Sequence, residues 1–284
     1  MMTTPFNTNL KDQVAVVTGG GGVLGSYFCR ALADAGAKVA VLGRTLESCE
    51  VVAAEIREAG GEAIAVQCDV TDKTSVEKAR EDVNKSLGTC DILVNGAGGN
   101  NPSASTEDEY LDLDKLDDPN VRNFFALDTD GIDFVFKLNF LGTLIPSQIF
   151  GRDMAPKAHA SVINVSSMNA FTPLTKIPAY SGAKSAISNF TQWLSVYMSR
   201  TGVRVNAMAP GFLATNQNRD LLFDKDGNLT DRSHKIINAT PMGRFGEPEE
   251  LIGTLLYLAD HKASGFVTGI VIPVDGGFSA YSGV

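Results

Sequence analysis

The chain has 284 residues, 44% of them apolar, and a net charge of −9 from 24 basic and 33 acidic side chains. That acidity argues against nucleic acid as a partner, since nucleic acid demands a basic footprint, and it gives no support to an anionic membrane surface. No stretch approaches the ~18 to 20 apolar residues of a spanning helix, and the start Met1-Met2-Thr-Thr-Pro-Phe lacks the basic and apolar regions of a signal peptide, so a cytoplasmic protein is expected.

The first element is a β-branched apolar run, Val14–Thr18, which reads as a buried parallel strand. It runs into Gly19-Gly20-Gly21-Gly22-Val23-Leu24-Gly25, and a helical pattern follows from about residue 26 to 35, with Gly36 ending it. Strand, glycine-rich turn and helix form the context of a dinucleotide fingerprint: glycines let the backbone approach a pyrophosphate, and the helix N-terminus supplies amide donors. The next strand, residues 38–42, is followed by Gly43 and Arg44. An acidic residue there would hold the ribose hydroxyl of NAD, whereas a guanidinium suits the 2′-phosphate of NADP. NADP is therefore expected, with NAD as the alternative; Arg44 could otherwise serve only to cap or solvate the next helix. A third strand, residues 63–67, ends in Cys68-Asp69-Val70, where Asp69 is placed to meet an adenine amine or to cap a helix beginning near Thr71-Asp72. A fourth, residues 91–94, ends in Asn95-Gly96-Ala97-Gly98-Gly99, small residues that let a ligand lie against the sheet edge.

Further along, Tyr180 and Lys184 are separated by about one helical turn, so phenol and ammonium share a helix face, and Ser167 precedes the tyrosine by 13 residues. A phenol titrates near ~10 when free. A neighbouring ammonium would lower it toward neutrality and fit it to pass a proton to a substrate oxygen. Cys29, Cys49, Cys68 and Cys90 form no C-x-x-C pair, so neither zinc nor a redox pair is expected, and no metal site is proposed. They read as small buried thiols of a reducing compartment. His159, His234 and His261 are scattered and are expected to be solvated or structural.

With these pieces the chain resembles the short-chain dehydrogenase/reductase family from about Leu10 to Gly277. Thr18-Gly19 to Gly25 is similar to the family's cofactor loop, except that Val23 stands where the family's middle glycine would be. Asn95-Gly96-Ala97-Gly98 matches its strand-end motif, with Gly96 in place of alanine. Asn139, Ser167, Tyr180 and Lys184 match its catalytic tetrad, Pro210-Gly211 to Thr215 the segment after the sixth strand, and Val274-Asp275-Gly276-Gly277 the end of the last strand.

The resemblance implies an α/β fold: one doubly wound Rossmann domain over residues 1–284, with a parallel seven-stranded sheet, helices on both faces and a substrate-loop insertion at about 212–247. It implies hydride transfer between a nicotinamide and a carbonyl or carbinol carbon. Tyr180 would handle the proton, Lys184 would hold the nicotinamide ribose and depress the tyrosine, Ser167 would position the substrate oxygen, and Asn139 would anchor a relay water. Cofactor contacts are expected from Thr18, Gly19, Gly21, Gly22, Val23, Leu24, Arg44, Asp69, Val70, Asn95, Gly96, Ala97, Tyr180, Lys184, Pro210, Gly211 and Thr215.

Two long segments, 99–130 and 212–247, are expected to read the substrate. The acidic part of the first, around Glu107-Asp108-Glu109, reads as a solvated face. The second, just past a strand end, reads as a lid. Asn100, Asn101, Asn169, Asn216, Gln217, Asn218 and Arg219 offer amides and one guanidinium, which suit a small-molecule sugar acid. Residues 166–175, 210–219 and 276–284 resemble a subgroup of D-mannonate oxidoreductases (fructuronate reductases). Gluconate 5-dehydrogenase and 3-oxoacyl reductase are the alternatives within the family, and a non-catalytic dinucleotide sensor is the alternative outside it. The family's tetramers imply a homotetramer with 222 symmetry, and the apolar tail 278–284 is expected at a subunit interface or over a neighbour's active site.

Overall fold

Strands buried along their whole length, rich in valine and alanine, belong inside a sheet covered on both faces. A computed structural model of the chain describes residues 8–215 and 219–283. Its strands are β1 (Val14–Thr18), β2 (Lys38–Gly43), β3 (Ala63–Gln67), β4 (Ile92–Asn95), β5 (Ala160–Val165), β6 (Val203–Pro210) and β7 (Val271–Val274). They form one seven-stranded sheet in the order β3-β2-β1-β4-β5-β6-β7, parallel throughout. The order reverses between β1 and β4, and ligands of open α/β sheets bind in the crevice outside the strand ends at such a switch point.

The helices are α1 (Val23–Asp34), α2 (Leu46–Glu58), α3 (Lys73–Ser86), α4 (Thr129–Phe136), α5 (Gly142–Met154), α6 (Pro178–Tyr197), α7 (Arg219–Leu222), α8 (Asp231–Asn238), α9 (Ile252–Ala259) and α10 (His261–Ser264). Side chains alternate across a strand, so Ala15, Val17, Val39 and Val41 face α1, α2 and α9, while Val14, Val16, Ala40 and Leu42 face α3 and α5. A turn of π-helix, Lys137–Leu141, joins α4 to α5. No described helix is long and apolar enough to cross a membrane.

Two excursions leave the sheet at its carboxyl edge. The first, between β4 and α4, is built of short 3₁₀ turns and is mostly exposed. The second leaves β6 and carries α7 and α8 before α9. Its far end is anchored by Arg244, which grips Glu250 with two bonds of 2.7 Å. Asn216, Gln217 and Asn218 lie outside the described residues.

Candidate active site

The glycine turn after β1 brings the backbone close to itself. Gly19 has φ +68°, and a Cβ on Gly25 would lie 2.1 Å from the Gly19 carbonyl oxygen. The N-cap of α1 is Gly22, no side chain caps the helix, and its first turn holds no acidic residue. This leaves the positive end of α1 suited to an anion such as a pyrophosphate. Val23 and Leu24 are the first residues of α1, and Leu24 packs on the core. Gly21 lies against the start of α2, where a Cβ would meet Ser48 Oγ at 2.7 Å. Arg44 is exposed directly after β2, its carbonyl accepting from Gln67 Nε2 at 3.0 Å.

Several residues expected at the cofactor are committed to structure through their side chains. The Thr18 hydroxyl accepts from the N–H groups of Gly96 (3.1 Å) and Ala97 (3.3 Å), locking the ends of β1 and β4 together. Asn95 is buried and donates to Ser147 Oγ (2.9 Å) and Asn164 Oδ1 (2.8 Å), and Asn164 donates to Thr191 Oγ1 (2.8 Å). Asp69 closes its own turn, accepting from Thr71 N (2.9 Å) and Thr71 Oγ1 (2.7 Å). Val70 is buried against Gly142. Pro210 ends β6, and a Cβ on Gly211 would come within 2.5 Å of Asp275, so the Pro-Gly turn, with Thr215 beyond it, is held close to the end of β7.

At the centre of the crevice the four residues Asn139, Ser167, Tyr180 and Lys184 come from three elements. Asn139 sits in the π turn, fully buried, with Nδ2 donating to Gly99 O (2.7 Å) and Val135 O (2.8 Å). The widened turn frees the backbone locally and turns this side chain toward the end of β4. Lys184, also buried, donates Nζ to Val165 O at 2.9 Å. A Cβ on Gly98 would touch both, 2.8 Å from Asn139 Oδ1 and 3.2 Å from Lys184 Nζ, so only glycine lets the three meet. Tyr180 lies in the first turn of α6. Ser167 caps the short turn after β5 and accepts from Asn169 N at 3.3 Å. The neighbouring Ser166 points elsewhere, bonded to Ser188 Oγ (2.8 Å) and Lys184 O (3.2 Å).

The electrostatics differ from the sequence expectation. Burial raises the Tyr180 phenol above its ordinary value, and the nearby Ser167 hydroxyl works against that. Lys184 Nζ donates to Val165 O and stands 5.5 Å from the centroid of the Tyr180 ring. Desolvation instead pushes Lys184 itself down to about 8. The spacing of Tyr180 and Lys184 correctly put them on one face, but the carbonyl of Val165 takes the ammonium. The arrangement keeps a protonated phenol beside a serine hydroxyl, which suits donation to a carbonyl oxygen.

The expected substrate amides are distributed differently. Asn169 is buried with Oδ1 lacking a protein partner. Asn101 serves as a cap, its Oδ1 accepting from Ser103 N (2.9 Å) and Ser103 Oγ (3.0 Å). Asn100 donates to Ser105 Oγ at 3.1 Å. Arg219 is exposed and stacks 5.7 Å over Phe223. Among the described residues, Asn100 and Asn101 hold the turn after β4 and Arg219 stacks on Phe223, while Asn169 keeps a buried carbonyl oxygen without a protein partner.

Two features were not anticipated. Glu109, read as part of a solvated acidic face, pairs with Lys235 of α8 at 2.8 Å, 126 residues away. The histidines are not all scattered, since His159 and His261 stack 3.8 Å apart. Hydropathy gives no sign of either. The tail folds back on its own chain, Phe278 against Phe212 (5.3 Å between centroids) and Ser279 O accepting from Thr172 Oγ1 at 3.4 Å.

Comparison with known proteins follows the same lines. The profile of the short chain dehydrogenase family matches residues 13–226. An uncharacterized oxidoreductase of Haemophilus influenzae is 55% identical over 283 residues, covering 100% of this chain and 99% of the relative. A solved structure from the same genus, provisionally named a D-mannonate oxidoreductase and holding NAD, superposes with a TM-score of 0.94 at 56% identity, over 98% of this chain and 99% of that one. A gluconate 5-dehydrogenase from Burkholderia cenocepacia, in complex with NADP and tartrate, superposes with a TM-score of 0.83 at 28% identity, over 97% and 98% of the two chains.

Proposed function

The chain belongs to the short-chain dehydrogenase/reductase family, and from that premise we propose that it is a sugar-acid ketone reductase whose substrate pair is D-fructuronate and D-mannonate. It is a nicotinamide-dependent oxidoreductase acting on a CH–OH group. A bound nicotinamide dinucleotide supplies the hydride.

The observation that carries the reading is the meeting of Asn139, Lys184 and Gly98 beside Ser167 and Tyr180 at the switch point of the sheet. Tyr180, held protonated by burial, gives its proton to the oxygen of the ketone. Ser167 donates to the same oxygen and stabilises the charge that develops there. Lys184, charged near neutral pH and pinned by Val165, binds the nicotinamide ribose and keeps the region positive as the proton leaves. Asn139, gripping the backbone at Gly99, orders the water that refills the proton. The name given to the Haemophilus structure, and the tartrate beside a gluconate dehydrogenase, support a hydroxy-acid substrate. Turnover of D-fructuronate by the wild type, lost by about three orders of magnitude in Tyr180→Phe with cofactor binding intact, is the expected result. Equal turnover in the variant would remove Tyr180 from the chemistry.

The cofactor we propose is NADP, because a neutral Gly43 and an exposed Arg44 end β2. NAD is the second reading, favoured by the NAD in the Haemophilus structure. Arg44→Ala should raise the KM for NADPH about tenfold while barely moving that for NADH. Equal effects would return the choice to NAD. We also propose a homotetramer, supported by a partly exposed ladder of rings on α6: Phe190 on Trp193 (6.3 Å) and Trp193 on Tyr197 (5.1 Å).

A further inference from the structure

We propose that Lys235 on the lid binds the substrate's carboxylate, and that Glu109 occupies Lys235 until substrate arrives. This rests on the sugar-acid reading above and assigns the residue that reads the anion.

The ketone and the carboxylate of D-fructuronate stand near opposite ends of the carbon chain, so proton donor and anion receptor must lie apart. A cleft of about 450 Å³ opens between the excursion after β4 and the lid, and its lining reaches Ile177, three residues before Tyr180. One wall is Lys176-Ile177, which runs directly into the first turn of α6, and Phe212 also lines the cleft. Lys176, Arg232 and Lys235 line it against Glu109 and Asp231, a cationic excess on a chain whose net charge is −9. Lys176 has φ +72°, a conformation lysine seldom adopts, and its carbonyl accepts from Thr106 N at 2.8 Å, which ties the wall to the first excursion.

Glu109 Oε1 lies 2.8 Å from Lys235 Nζ, and that contact, then Lys176, holds its carboxyl below the usual range. An exposed ion pair of this kind is weak and exchanges readily. The incoming ligand carries the same functional group as Glu109, so replacing one carboxylate with the other conserves charge. The exchange also transfers Lys235, and with it α8, from the first excursion onto the substrate.

The test uses the full chain with Lys235→Met, Lys235→Arg and Glu109→Gln, measuring kcat and KM for D-fructuronate and for its neutral carboxamide. Lys235→Met should raise the KM for D-fructuronate about tenfold with kcat nearly unchanged and leave the carboxamide unaffected, and Lys235→Arg should restore most of it. Glu109→Gln should lower the KM for D-fructuronate several-fold, because it removes the competitor. A purely structural ion pair would respond in the same direction to loss of either partner, and that outcome overturns the inference. An unchanged KM in Lys235→Met beside an active wild type also overturns it and leaves the sugar-acid reading standing. A wild type inert toward D-fructuronate but active on other ketones removes both.

Discussion

Lys184 carries its charge where one backbone carbonyl is its hydrogen-bond partner. Val165 O accepts from Nζ, and burial brings the group down to about 8. Because the folded value lies below the unfolded one, the charged form is disfavoured in the native state. Stability is lowest below about pH 8 and rises with pH until the unfolded lysine, near ~10.5, also loses its proton. Lys184→Met should therefore be inactive and yet more stable at neutral pH. The gain should be on the order of 2 kcal/mol once the lost hydrogen bond is counted. Urea unfolding at two pH values checks this: the advantage of the variant should shrink as pH climbs from 8 toward 10, and a destabilised variant at pH 7 would show that packing of the lysine stem outweighs its charge. At this scale the sequence was informative about identity and poor about electrostatics. Tyr180, Ser167 and Lys184 were legible from spacing, but the direction of the phenol's shift depends on its enclosure, which outweighs the Ser167 hydroxyl and which no spacing encodes.

The element with least room for change is the junction of β1 and α1. Gly25 faces the Gly19 carbonyl so closely that a methyl group would force the helix away from the strand. Gly25→Ala should weaken dinucleotide binding at least tenfold and cost roughly 1–3 kcal/mol of stability, read by fluorescence titration and denaturant unfolding. Unchanged affinity would mean that α1 can slide without disturbing its N-terminus. This junction was readable because a glycine run between a strand pattern and a helix pattern has few other uses. The strand-end Asn95 was harder: its motif suggests a ligand, while its side chain joins Ser147, Asn164 and Thr191 in a buried polar chain beneath the crevice. Asn101 was ambiguous for a related reason, since a carboxamide before Pro102 can cap a turn, as its Oδ1 does, as well as meet a sugar. The Glu109–Lys235 pair was beyond reach because it joins two loops whose paths composition does not fix.

Over the whole molecule, a parallel sheet separates two apolar layers, and the outer faces carry what the layers cannot hold. Trp193 and Tyr197 remain 57% and 71% exposed on α6, an arrangement that a partner subunit would cover. Light scattering should return the mass of four chains; a monomer would refute the assembly. The burial of the strands between two layers was visible in the valine-rich apolar runs, whereas their order across the sheet was not, because crossover connections leave no local mark. The four cysteines divide between those layers: Cys29 and Cys49 on one side of the sheet, Cys68 and Cys90 on the other, all buried. Burial holds each thiol above its ordinary value, Cys68 at about 12. The folded chain is thus chemically silent toward alkylating reagents, and the rate at which each pair becomes labelled is a clock for the opening of its own layer. Matched rates would mean that the two sides of the sheet come apart as one cooperative unit; unequal rates would identify which side lets go first.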